Sequence, residues 1–143
     1  MLTVRDILDR KGRNVWTIAP EAPVYRALEL MAEKRVGALL VLERERLVGV
    51  VSERDYARKV ILAGKASKET PVRDIMTSKV YYVTPSHRLD ECMALMTDKA
   101  VRHFPVMDGE RLDGVISIGD VVKAVISHQE FLIEQLEHFI MGR

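Results

Sequence analysis

The chain has 143 residues, 48% hydrophobic and 30% charged, the balance of an ordinary globular protein and too apolar for a disordered one. Its 22 basic and 21 acidic residues are spread without a basic cluster, so nothing in it has the electrostatic footprint of a nucleic-acid partner. No stretch approaches the roughly 20 apolar residues that cross a bilayer, and Arg5, Asp6, Asp9 and Arg10 interrupt any signal-peptide core, so the sequence reads as cytoplasmic, with no membrane partner.

A short lead-in, Val4-Arg5-Asp6-Ile7, precedes an apolar strand from Val15 to Ile18 that a proline turn ends. A helix follows, with Val24, Ala27, Leu28, Leu30 and Met31 at three-to-four spacing. Leu39 to Leu42 and Leu47 to Val51 read as two strands around a charged turn, and a second helix runs towards Gly64. The polar segment 65–71 ends in Pro71, a residue suited to starting a helix, and reads as a linker. The same order then recurs. It comprises a lead-in Val72-Arg73-Asp74-Ile75, a strand from Val80 to Val83, and a helix with Leu89, Cys92, Met93 and Met96 on one face. Strands Phe104 to Met107 and Leu112 to Ser117 follow, around an Asp108-Gly109 turn, and a last helix starts near Ile118. Cys92, the single cysteine, excludes an intrachain disulfide and reads as a buried thiol.

The recurrence is residue by residue. Across 17–60 against 82–125, at a constant offset of 65, fourteen of forty-four positions are identical, among them Pro20/Pro85, Met31/Met96, Gly49/Gly114, Ser52/Ser117 and Asp55/Asp120. The lead-ins match at an offset of 68, so the first copy holds three extra residues, placed between Asp9 and Asn14. Each copy is a β-α-β-β-α unit, too small to cover its own sheet. The fold class is therefore α/β (α+β), two such repeats packed as a pseudo-twofold pair with clefts between them. The boundaries are 1–64 for the first domain, 65–71 for the linker, 72–127 for the second domain and 128–143 for an extension of the last helix.

The strongest local signal is Gly49-Val50-Val51-Ser52-Glu53-Arg54-Asp55, repeated as Gly114-Val115-Ile116-Ser117-Ile118-Gly119-Asp120. A strand ends at a serine that can cap the next helix, whose first-turn amides can bind an anion such as phosphate. The aspartate one turn along offers two acceptor oxygens that suit the paired hydroxyls of a ribose. Ser-x-x-Asp is equally a capping box, in which the acid folds back on the backbone.

The repeat order, the lead-in Val-Arg-Asp-Ile-Met-Thr at 72–77 and the doubled Gly-x-x-Ser-x-x-Asp resemble the CBS-domain pair, or Bateman module, over nearly the whole chain. The resemblance implies up to two sites for adenosine-containing ligands, AMP, ADP or ATP foremost, with Asp55 or Asp120 on ribose and Ser52 or Ser117 near phosphate. It also implies completion of each site by the other repeat, with Trp16, Gly37 and Ala38 beside Asp120, and Tyr81, Arg102 and His103 beside Asp55. The copies differ at these places. Arg102, where the first copy has Gly37, is the candidate phosphate ligand through its guanidinium. Arg54, where the second copy has Gly119, could supply charge to the first site. Trp16 could stack on a base or pack in the core. His103 could bond a ligand or line the interface, and His87, His128 and His138 lack the spacing of a metal site.

The last helix shows no breaker from Ile118 until Gly142. Val122, Val125, Ile126, Leu132, Ile133, Leu136, Phe139 and Ile140 fall on one face. The last five reach beyond a small α/β body, which points to a homodimer contact through 118–141 unless the helix folds back on its own domain. With no placed acid/base constellation and no metal cluster, the sequence does not read as an enzyme, and the resemblance implies a regulatory, energy-sensing module. Its adenine nucleotide acts on an unknown partner protein. The alternative is a ligand-independent scaffold whose Ser-x-x-Asp motifs only cap helices.

Overall fold

The computed structural model describes residues 2–141, so the Gly142 breaker lies outside the described residues. Among the described residues five α-helices and five strands run in the order α1 (Val4–Lys11), β1 (Thr17–Ile18), α2 (Val24–Lys34), β2 (Ala38–Glu43), β3 (Arg46–Ser52), α3 (Glu53–Tyr56), α4 (Leu89–Lys99), β4 (His103–Asp108), β5 (Arg111–Ser117) and α5 (Ile118–Met141). The backbone divides into two compact units, and the lead-ins have exchanged places. The N-terminal segment through Asn14 joins the chain from Tyr82 onward, while Val15–Tyr81 forms the other unit. Among the described residues, no helix is long and apolar enough to cross a membrane.

In the unit formed by Val15–Tyr81, β1 pairs parallel with β2, and β2 pairs antiparallel with β3, with a bulge between Val41 and Leu42. Val24, Ala27 and Met31, one stripe of α2, close over Leu39, Val41 and Val51 of the sheet, each buried side chain contributing about 1.5–3 kcal/mol. The second lead-in completes this unit: Val72 and Ile75 enter the same core, and Val50 and Thr77 exchange backbone hydrogen bonds of 2.8 and 3.0 Å. The 65–71 segment is fastened along its length. Ser67 and Thr70 accept from the amides of Tyr25 and Val24, and the Thr70 hydroxyl donates to the Ala66 carbonyl. After one α-turn the helix that follows β3 widens into a π-helical turn, Ala57–Ile61, which buries Val60. Turns closed by the Gly64 amide on the Ile61 carbonyl and the Lys65 amide on the Val60 carbonyl then end it at Gly64, whose φ is 70°.

The other unit repeats the plan with less strand. The expected strand from Val80 to Val83 is a single parallel bridge, Val83 to Val106. β4 and β5 pair antiparallel in the same register as β2 and β3, with the bulge at the equivalent place, Val106/Met107. Its core takes Leu89, Cys92 and Met96 from α4, Phe104, Val106 and Ile116 from the sheet, and Val121 and Ala124 from α5. Burial of Cys92, with the nearby charges of Glu91 and Asp90, pushes its thiol up to about 11, where it is inert. The sequence pattern contains no strand or helix at the first lead-in; the structure makes it α1, with Asp6 accepting from the Thr3 amide at 2.8 Å. The three extra residues of the first copy lengthen this helix to Lys11.

The repeated glycines have a packing role. A methyl group on Gly114 would lie 2.8 Å from Leu8 Cδ2, and one on Gly49 2.7 Å from Met76 Sδ and 3.1 Å from the Thr77 carbonyl. Leu8 and Met76 stand 68 positions apart, the offset of the lead-ins. Each lead-in therefore closes on the motif glycine of the repeat it does not precede.

Candidate functional site

Each motif turn is built by three neighbours in its own unit. Ser52 and Ser117 end β3 and β5 in extended conformation and pair directly with Ala38 and His103, the first residues of β2 and β4. The next amide donates back across that pair: Glu53 N to the Gly37 carbonyl at 3.1 Å, Ile118 N to the Arg102 carbonyl at 2.8 Å. The aspartate closes the turn. Asp55 Oδ2 accepts from the Ser52 amide at 2.9 Å, Asp120 Oδ2 from the Ser117 amide at 2.8 Å, and each serine hydroxyl accepts from its aspartate's amide at 3.2 Å. Both capping boxes are thus formed, so the exposed first-turn amides expected from sequence are mostly occupied. Of the first three helical amides only those of Arg54 and Gly119 are left without these bonds.

The two aspartates obtain their counter-charges differently. Asp55 Oδ1 meets Lys59 one turn along its own helix at 3.1 Å, and that ammonium also donates to the Ile75 carbonyl at 2.9 Å. The second copy has Ala124 where the first has Lys59, and Lys11 of α1 takes over. It lies 2.7 Å from Asp120 Oδ2 and donates to the Val115 carbonyl at 2.9 Å. Burial would push the Asp120 carboxyl up, but the hydrogen bond from Lys11, the Ser117 amide and the Lys11 charge outweigh it and hold the group below the usual carboxylate range. The Oδ1 atom carries none of these bonds. Half-buried His103 faces the same cluster: burial lowers its pKa, the Asp120 charge opposes that, and Lys11 and Arg102 reinforce it. It is neutral at pH 7.

The sequence-predicted residues therefore fall into two groups. Ser52, Asp55, Gly37 and Ala38 meet at one turn; Ser117, Asp120, Arg102 and His103 meet at the other. Arg54 and Arg102 are exposed. Trp16 is not taken into its unit's core: it is 36% exposed, with the Lys34 ammonium 4.4 Å from its ring. Tyr81, its counterpart, has the Lys79 ammonium 5.8 Å from its ring. His87 accepts from the Thr84 amide at 2.9 Å and closes a turn, while His128 and His138 are exposed. Among the described residues no three His, Cys, Asp or Glu side chains converge as a metal site requires. Lys11 is the residue that sequence reasoning missed. Its signals were the offset change that places extra residues between Asp9 and Asn14, the span that holds Lys11, and the alanine opposite Lys59.

The CBS-domain family model matches residues 4–61 and 72–127. The chain is 39% identical over 150 residues, 98% of its own length and 72% of the relative's, to the mitochondrial CBS domain-containing protein CBSX3 of Arabidopsis thaliana. A solved structure of a CBS-domain protein from Burkholderia ambifaria is 54% identical and superposes with a TM-score of 0.88, covering 90% of this chain and 96% of that one. The same fold, at 19% identity and a TM-score of 0.78 over 90% of this chain and 98% of the other, is seen in the CBS domain pair of the protein MJ0100, solved with 5′-methylthioadenosine and S-adenosyl-L-methionine. A doubled strand-to-helix turn, in one register on two like sheets, and a family model matched once per repeat give one conclusion: the chain belongs to the CBS-domain family and carries two copies of the domain.

Proposed function

We propose that this chain is a cytoplasmic regulatory module, not an enzyme, that binds an adenosine-containing ligand, with AMP, ADP or ATP as first candidates, and passes its occupancy to a partner protein. The observation that carries the reading is the turn at Asp120. Its carboxylate is ionised, held in place through Oδ2 and left with Oδ1 for a ribose hydroxyl, while neutral His103 starts the adjoining strand and Arg102 immediately precedes it. The adenosine ligands of the MJ0100 pair support it by analogy of fold. The family resemblance adds Trp16, Gly37 and Ala38 to the Asp120 site, and Tyr81, Arg102 and His103 to Asp55 and Ser52; that pairing is part of the proposal. A ligand at 100 times its dissociation constant stabilises the fold by about 2.7 kcal/mol, read as a raised melting temperature. Arg102→Ala, which leaves the caps intact, and Asp120→Asn, which keeps a capping oxygen, should each reduce the shift. The absence of a shift with AMP, ADP, ATP and S-adenosylmethionine would overturn the reading.

The second reading, a scaffold whose motifs only cap helices, is favoured by the two complete capping boxes. It predicts destabilisation by about 0.5–2 kcal/mol in Ser52→Ala and Ser117→Ala, with no ligand response in the parent protein.

The assembly belongs to the same proposal. Ile118, Val122, Val125, Gln129, Leu132, Leu136 and Phe139 follow the alternating four-and-three spacing of a coiled-coil seam. Val125 is half-buried, whereas Leu136 and Phe139 at its far end are 59% and 88% exposed. Glu130, Glu134 and Glu137 lie on the opposite face, so two copies meet without charge repulsion. Gln129 stands midway along the seam, where a twofold axis would set amide against amide. A homodimer through α5 satisfies all four features.

A further inference from the structure

A cavity of about 120 Å³ lies between α1 and the first turns of α5, with the Lys11–Asp120 pair of the motif turn in its lining and Arg10 and Lys123 not assigned any role above. Its floor is apolar, made by Leu2, Ile7 and Ala124. Five charged groups rim it, and the two acids among them are already engaged. Asp6 accepts from the Thr3 amide and hydroxyl at 2.8 and 3.1 Å, and Asp120 is held by the Ser117 amide and Lys11. Against them stand three cations, Arg10, Lys11 and Lys123. Lys11 is committed to Asp120, but among the described residues Arg10 and Lys123 hold no ion pair or hydrogen bond. The rim thus carries one net positive charge, from three cations and two acids, and its two unpartnered donors flank an apolar hollow.

We propose that this cavity is a second ligand site, for a small monocarboxylate with a short alkyl tail, adjoining the Asp120 turn and built on Arg10 and Lys123, which that turn does not use. The carboxylate lies between Arg10 and Lys123, where guanidinium and ammonium supply charge-assisted hydrogen bonds, and the tail covers Ile7 and Ala124. An apolar cavity of about 150 Å³ takes up benzene, so this one holds about five non-hydrogen atoms, the size of a three- or four-carbon acid. Inorganic phosphate fits less well, because it needs more donors and leaves the apolar floor uncovered. The site is also coupled to the motif. Its anion lies beside Lys11, and an anion that draws Lys11 away from Asp120 leaves Oδ2 with the Ser117 amide alone.

The test is titration of the full chain with sodium acetate, propionate, butyrate and phosphate by calorimetry, with sodium chloride at equal ionic strength as the blank. Saturable butyrate binding is expected, tightening from acetate to butyrate by up to about fourfold per methylene. The exposed-residue variant Arg10→Gln/Lys123→Gln should weaken it by at least about tenfold, with an unchanged melting temperature. The proposal is overturned if butyrate does not saturate, if that variant binds it as the parent does, or if phosphate binds more tightly than butyrate. Nucleotide binding enters none of these readouts, so the two proposals stand or fall separately.

Discussion

Replacing Gly114 by alanine tests the exchange of lead-ins more directly than any ligand experiment. The added methyl carbon would sit 2.8 Å from Leu8 Cδ2 and 3.3 Å from Cδ1, whereas carbon atoms pack at about 3.5–4.0 Å. Leu8 is fully buried and has no route out, so the strain stays in the core and Gly114→Ala should cost about 1–3 kcal/mol. For a chain of this size that is about 3–9 °C in melting temperature. Leu8→Ala alone should cost about 2–5 kcal/mol through the cavity it leaves. In the double variant the methyl of residue 114 occupies part of that cavity, and the cost of Gly114→Ala should fall to about zero. Urea unfolding of the four proteins, followed by circular dichroism, gives the coupling directly. If Gly114→Ala costs the same within about 0.5 kcal/mol in both backgrounds, α1 does not close on β5 and the account of the motif glycine is wrong.

Two further outcomes follow from the surface. Leu132→Glu with Leu136→Glu should convert a dimer to a monomer in light scattering, with a change in monomer stability within about 0.5 kcal/mol, since both positions are exposed. The β2–β3 turn holds Arg44 and Glu45 at φ 51° and 67°, so Arg44→Asn with Glu45→Gly, the residues favoured in a two-residue turn of this kind, should raise stability by about 1 kcal/mol, measured by urea denaturation.

What the sequence disclosed was set by what repeats in it. The offset of 65 carries the turn at Ser52 and Ser117 into both copies, the strand pairs fall within a residue of their observed bounds, and the apolar stripes begin where α2 and α4 begin, at Val24 and Leu89. The first strands were over-read, because Val80 and Val83 have strand composition but only Val83 finds a partner. The destination of the lead-ins was not legible, since the recurrence of Val-Arg-Asp-Ile marks a repeated start but not the repeat that it closes on. Nor was Lys11, which acts across 109 positions on Asp120. A long-range ion pair leaves no local pattern. Its trace is comparative, an alanine at 124 where the other copy has its lysine.

Lys11 and Asp120 therefore share a cluster whose sign can be read from a third group. His103 lies below the ordinary imidazole value because burial penalises its charged form, and the surrounding charges pull in opposite directions. Lys11→Met removes a positive neighbour and should move the His103 titration up, towards the range near 6.5. Asp120→Asn removes the negative charge that favours the imidazolium and should move it further down. Since the folded pKa is depressed, the sign of the stability effect is fixed. The unfolded chain binds the proton first, so stability falls as pH drops through about 6.5 and levels off only below the folded value. Lys11→Met narrows that window and Asp120→Asn widens it. Proton NMR of the imidazole Cε1–H across pH 4–8 in the parent and both variants reads the shifts directly. Movement in the same direction in both variants, or in neither, would show that Lys11 and Asp120 do not face His103 as an ion pair, and the electrostatic argument for the Asp120 turn would fail with it.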